Sequence, residues 1–233
     1  MGPSDIYEGS PADHNGPTNP ISVSSVTVPR AASPSETHSK YVKSSHRIGL
    51  YVLHCDAGGN KLQTRILITG ASGSGTTTLG RALATRLSCA FYDADDYYWL
   101  PTTPPFRCKQ DPTIRASGLL QALQNASTTV LAGSILNWGV ELEDSFSLIV
   151  FLTVPAQIRV IRLRERETQR FGHVDPAFLA WAAQYEEGTL EGRSRPKHEA
   201  WLAKRSCPVL RIDGDTSTEW RLAQVLDVIC THT

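Results

Sequence analysis

From residue 64 onward the sequence predicts a three-layer α/β domain, a parallel central sheet with helices on both faces. Three observations carry this. Short apolar runs rich in β-branched residues alternate with helical patterns, the signature of a covered parallel sheet. A glycine-rich turn joins the first such run to the first helix. The chemically distinctive polar groups then fall at the carboxyl ends of the runs, where open α/β sheets gather their ligands.

The first strand is "TRILITG" (64–70), a continuous apolar run ending in glycine, as a strand buried on both faces should be. In "TTTLGRALATRLS" (76–88), Leu79, Leu83 and Leu87 are spaced four apart and form one apolar helical stripe. "CAFYDADDYYW" (89–99) reads as a second strand running into an acidic, aromatic loop. A Pro-rich stretch (100–106) and a helix around 112–125 follow. "TTVLAGS" (128–134) and "SLIVFLTV" (147–154) are two more buried strands. "PAQIRVIRLRERETQRFG" (155–172) is one helix, opened by proline and closed by glycine. Helical regions around 175–188 and 197–205 precede a last strand, "CPVLRIDG" (207–214). The closing helix, 217–230, has Ser217 as its N-cap.

Ahead of this domain, residues 1–45 are rich in Pro, Ser, Thr, Gly and Asn. They hold too few large apolar groups to offset their ordering entropy and are expected to be disordered. Asp5, Glu8, Asp13 and Glu36 argue against a transit peptide. Residues 46–63 read as an extra edge strand, "RIGLYVLHC" (47–55), and a turn, "DAGGN" (56–60).

Charge bounds the partners. The 233 residues hold 23 Lys plus Arg against 23 Asp plus Glu, so neither nucleic acid nor a membrane surface is an expected partner. The longest apolar run is too short to span a bilayer. Five dispersed cysteines without a CxxC pair point to reduced thiols and a cytoplasmic protein.

"GASGSGTTTLG" (70–80) carries the chemistry. In the pattern G-x-x-x-x-G-K-[ST], backbone N–H groups curl around phosphate oxygens at a helix N-terminus. The residues from Gly70 through Ala71, Ser72, Gly73, Ser74, Gly75, Thr76, Thr77 and Thr78 would form that cradle here, with the Thr77 hydroxyl placed for Mg²⁺. Thr76 stands where the lysine belongs, so either another cation compensates or phosphoryl transfer is weak.

Arg159, Arg162, Arg166 and Arg170 share one face of the 155–172 helix, on the rim of the phosphate loop. Arg162 and Arg166 are the first candidates for the missing charge. "DADDYYW" holds Asp93, Asp95 and Asp96. Asp93 or Asp95 could serve as a base, and Asp95 could hold Mg²⁺ through water. Asp96, Tyr98 and Trp99, with Ser134 and Trp138 of "GSILNWG" (133–139), are candidate substrate contacts. His173 and His198 lack ligand spacing and read as ordinary surface or loop residues.

On these residues, the chain from about 64 to 231 resembles the P-loop small-molecule kinases: nucleoside monophosphate kinases, shikimate kinase and their relatives. "GASGSGTTTLGRALA" is similar to their phosphate loop and first helix. "DADDYYW" resembles the Asp-x-Asp of shikimate-type kinases and the Asp-Asp-Phe-Tyr of uridine-type kinases, where the aspartate faces the acceptor hydroxyl. "RLRER" (162–166) resembles the start of the adenylate kinase lid, and "RIDGD" the adenine-side loop before the last helix. The resemblance implies a P-loop NTPase fold, ATP and Mg²⁺, a lid around 159–195 and a small-molecule phosphoryl acceptor.

Two departures stand out. Thr76 replaces the family lysine, and "AGS" replaces the Asp-Gly-x-Pro-Arg of adenylate kinases, so AMP is not the indicated acceptor. The chain also resembles adenylate kinase-like ATPases that share "GSGT" and "YWLPT". The expected activity is ATP-dependent phosphorylation of a small hydroxyl-bearing or nucleotide-like metabolite. A nucleotide-binding regulatory module and a slow ATPase without an acceptor remain the alternatives.

Overall fold

The computed structural model describes residues 63–103, 105–188 and 192–231. The expected disordered segment (1–45) and extra edge strand lie outside these residues. Five strands form one sheet: β1 (Thr64–Gly70), β2 (Ala90–Asp93), β3 (Thr128–Ala132), β4 (Leu148–Thr153) and β5 (Val209–Asp213). Their order is β2-β3-β1-β4-β5 and every pairing is parallel. Because β1 lies between β3 and β4, the chain leaves its carboxyl end at a topological switch point, the usual crevice for a ligand.

The strands alternate their apolar residues between two cores. On one face Ile66, Ile68, Val130 and Val150 meet Leu79 and Leu83 of α1 (Thr76–Leu87) and Val225 of α8 (Thr218–Thr231). On the other, Leu67, Leu131, Ile149 and Phe151 pack against Leu119 and Leu123 of α3 (Pro112–Gln124) and Trp201 and Leu202 of α7 (Arg195–Leu202). This is the predicted three-layer arrangement. A third cluster joins Leu163 of α5 (Ala156–Phe171) to Phe178, Leu179 and Ala182 of α6 (Pro176–Ala183).

The helix ends follow their local chemistry. Asp111 accepts from the backbone N–H of Thr113 and Ile114 ahead of Pro112, Asp175 caps α6 ahead of Pro176, and Ser194 caps α7. Ser217 accepts from Trp220 N at 3.2 Å, as its expected capping role requires. α5 stops where Gly172 takes φ 77°.

One element differs in kind. The residues after Asp93, expected as a loop, form α2 (Ala94–Tyr98). The Asp93 side chain caps that turn by accepting from Asp95 N at 3.1 Å, which competes with a looser loop. A further single turn, α4 (Val140–Glu143), follows β3. Among the described residues no helix is long and apolar enough to cross a membrane.

Candidate active site

The phosphate loop is built at the end of β1, between two helices that hold it from behind. Gly73 takes φ 81°, and a Cβ there would lie 2.7 Å from the Arg159 carbonyl oxygen, so only glycine lets the loop press against α5. Arg159 donates from Nη1 to Ser72 O at 3.2 Å, and Arg221 of α8 donates from Nη1 to Ser74 O at 2.8 Å. With those carbonyls held outward, the first turn of α1 begins at Gly75, which offers no side-chain cap. The N–H groups of Thr76, Thr77 and Thr78 therefore lack the intrahelical partners that later residues find. A phosphate supplies such partners.

The same two arginines secure neighbouring segments. Arg159 is fully buried, and it also donates to Val154 O at 2.9 Å and Ala182 O at 3.1 Å. Burial pushes its guanidinium below its ordinary pKa. Arg221 donates to Thr216 Oγ1 and Gly214 O, tying the "DGDT" loop to the phosphate loop.

Beside the loop mouth, Thr77 Oγ1 donates to Asp93 Oδ2 at 2.9 Å. Burial, and then the Asp95 charge, raise the Asp93 carboxyl above the usual range, against the lowering effect of its two hydrogen bonds. A hydroxyl and a carboxylate paired at the loop mouth are hard oxygen donors of the kind Mg²⁺ takes. Among the described residues no cluster of three or more His, Cys, Asp or Glu could hold a metal by itself. A site completed by substrate phosphates, with the Thr77 hydroxyl as its protein side and Asp93 hydrogen-bonded beside it, fits these residues.

A cavity of about 800 Å³ extends from the loop. Its wall includes Gly70 to Gly73, Thr76, Thr77, Asp93, Asp95, Tyr98, Trp99, Ser134 and Trp138, most of the residues predicted from sequence. Arg115 of α3 lies between two rings, its Cζ 4.6 Å from the Tyr98 centroid and 4.8 Å from that of Trp138. Its Nε is buried without a partner, and no carboxylate among the described residues pairs with it. Glu143 stiffens the wall by accepting from Trp138 N at 3.0 Å and Trp201 Nε1 at 2.7 Å. Arg166, Arg193, Lys197 and Lys204 add positive charge to the lining.

The family model of the AAA domain matches residues 66–172. An uncharacterized protein of Bacillus subtilis (strain 168), YqaC, is 40% identical over 181 residues, which are 73% of this chain and 100% of that protein. The probable gluconokinase of Xenopus tropicalis is 32% identical over 158 residues, 57% of this chain and 80% of that one. The chain belongs to the P-loop small-molecule kinases. Among solved structures, shikimate kinase from Acinetobacter baumannii aligns with a TM-score of 0.48 and 17% identity, over 73% of this chain and 95% of that chain.

The arginine stripe of this P-loop kinase does not act as one unit. Arg166 lines the cavity but pairs with Glu167 at 2.7 Å. Arg162 turns to Asp215 at 2.5 Å and is not among the lining residues. Arg170 lies over the Phe106 ring at 5.1 Å, where Phe106 also lines the cavity. Arg159 points inward. Asp96 is exposed and outside the lining, and Ser74, Gly75 and Thr78 also fall outside it. Ser74 is instead buried beneath the loop.

Three residues of the site escaped the sequence reading. Arg221 and Arg115 sit singly in helices, with no local pattern to mark them. His198 was expected at the surface but is fully buried, its Nε2 3.1 Å from Ser134 Oγ and its Nδ1 2.6 Å from the Tyr185 hydroxyl. The cause is tertiary: α7 packs over β4, bringing His198 within 5.8 Å of the Phe151 ring. His173 is exposed, as expected.

Proposed function

We propose that this kinase transfers the γ-phosphoryl group of ATP to a hydroxyl of a small hydroxylated acid, with gluconate as the first candidate. The observation that carries the reading is the joint placement in one cavity of Asp93, Thr77 and Arg115, a cation with no carboxylate partner among the described residues. The carboxylate suits proton removal, the loop suits triphosphate binding, and that cation suits an anionic acceptor. The Xenopus relative is consistent with a sugar acid. The need for ATP fits the cytoplasmic setting expected from the cysteines.

In the proposed reaction the loop N–H groups hold the phosphates and Arg115 orients the acceptor. Asp93 takes the proton of the acceptor hydroxyl as its oxygen bonds to the γ-phosphorus. The bond from that phosphorus to the β–γ bridging oxygen breaks and ADP leaves. Mg²⁺, when bound, neutralises charge on the phosphate oxygens. Asp95, exposed at the rim, tunes Asp93 electrostatically. The lid expected over 159–195 would begin beyond Arg159, whose side chain is buried against the phosphate loop.

The test is ADP release by the purified full chain with ATP and Mg²⁺ against gluconate, other sugar acids, shikimate and neutral polyols. Acid-dependent turnover that is lost with EDTA and restored by Mg²⁺ is expected. ATP binding with no stimulation by any compound would overturn the reading. It would favour a nucleotide-binding module, which the Thr76 position and the Arg166–Glu167 pair already make the second reading. Within the kinase reading, Arg166→Ala should lower kcat by about 10²-fold, as loss of one charge-stabilising donor does. Arg162→Ala should cost less, because Arg162 is engaged by Asp215. Equal losses would show that both reach the phosphates.

A further inference from the structure

Ser134, His198 and Tyr185 come from three separate parts of the chain: the end of β3, α7 and the turn after α6. The Tyr185 hydroxyl lies 2.6 Å from His198 Nδ1, and His198 Nε2 lies 3.1 Å from Ser134 Oγ. His198 is 0% exposed and Tyr185 7%, while Ser134 lines the cavity. The phosphoryl transfer described above makes no use of the two buried members.

The direction of the hydrogen bonds follows from the partners. A neutral imidazole has one N–H donor and one bare nitrogen acceptor. Burial holds His198 far below its usual pKa, at about 3, with the nearby Arg193 charge adding to the effect. The ring is therefore uncharged at neutral pH. If Nδ1 carried the proton, it would donate to Tyr185. The buried Tyr185 proton would then have no acceptor among the described residues. If Tyr185 donates to Nδ1, every group is satisfied: Nε2–H donates to Ser134 Oγ, and the Ser134 proton remains for a partner in the cavity. Burial and the Glu186 charge keep Tyr185 protonated, as this arrangement needs.

We propose that Tyr185 and His198 form a buried, uncharged relay that fixes Ser134 as a hydrogen-bond donor to an oxygen of the acceptor molecule. Ser134 thereby helps set the register in which the acceptor lies beside Asp93. This assignment rests on the kinase reading for its acceptor, but the tautomer does not. Tyr185 and His198 are positioning residues, acting through Ser134. The site selects a carboxylate or hydroxyl oxygen and disfavours a group that can only donate.

The first measurement is side-chain ¹⁵N NMR of the histidine-labelled full chain, with His198 assigned by His198→Gln. A neutral ring protonated on Nε2 is expected; protonation on Nδ1, or a cationic ring, overturns the relay. Tyr185→Phe should turn the single tautomer into a mixture, and an unchanged Nε2–H signal would remove Tyr185 from the proposal. The second measurement uses gluconate as the probe. Ser134→Ala should raise its KM about 10-fold, the equivalent of one hydrogen bond, with the KM for ATP unchanged. Ser134→Thr should restore most of the loss. An equal rise for ATP, or no rise at all, overturns the role of Ser134. If gluconate is not phosphorylated by the wild-type chain, the substrate reading fails while the tautomer measurement still decides the relay.

Discussion

Asp93→Asn is expected to lower phosphoryl transfer by about 10²- to 10⁴-fold, the usual contribution of a positioned general base. The substitution keeps the shape of the β2 terminus. An amide oxygen can still accept from Asp95 N, which caps α2, or from Thr77 Oγ1. ATP affinity and the unfolding midpoint should therefore change little while kcat collapses. Steady-state ADP release beside equilibrium ATP binding separates these effects, and retention of half the wild-type rate would exclude Asp93 as the base. The pH profile gives an independent check. Turnover needs the carboxylate, so the rate should rise with pH through the raised pKa of Asp93. Asp95→Asn removes a charge that contributes to that elevation, so the acid limb should move to lower pH.

The second large effect is expected from Arg159→Leu, a loss of about 3–5 kcal/mol of stability, as when one partner is removed from a buried charged network. No atom of Arg159 reaches solvent, and its donors serve Val154 O, Ser72 O and Ala182 O. Its Nη2 lies 3.6 Å from Glu186, and its Cζ is 5.3 Å from the Tyr185 ring centroid. Leucine fills much of the space but leaves the buried Val154 and Ala182 carbonyls and the part-buried Ser72 carbonyl without this donor, and each buried loss is costly. Arg159→Lys should recover only part of the stability, because an ammonium cannot reproduce the planar fork. Denaturant unfolding of the full chain measures both. A loss below about 1 kcal/mol for the leucine variant would mean that water or backbone movement satisfies the carbonyls.

The contrast between Arg159 and Arg166 shows where sequence reading reaches its limit. Their spacing placed both on one helical face, and α5 is a helix over nearly the expected span. Periodicity reports a direction around a helix axis; what lies in that direction changes along the axis. At Arg159 the neighbours are the phosphate loop and α6, and at Arg166 the cavity. The strands were legible because runs such as "LIVFLT" are buried on both faces, as β4 is. The phosphate loop was legible because its glycines, hydroxyls and helix are contiguous. His198 was not, because its burial depends on β4 and Tyr185, distant in sequence. Thr77 and Asp93 were each found as local motifs, while their direct hydrogen bond required the fold.

The clamping of the phosphate loop also bears on what the missing lysine costs. Arg159 and Arg221 hold the Ser72 and Ser74 carbonyls through contacts made within the protein itself, and Gly73 is packed against α5. A loop ordered in advance gives up little conformational entropy when a ligand arrives, so more of each contact appears as affinity. Ground-state binding can thus be supported by backbone dipoles without a lysine, whereas charge developing during transfer still needs a mobile cation. The signature of such a site is a low dissociation constant for ATP paired with a modest kcat. Thr76 would set the enzyme's pace while leaving its grip intact.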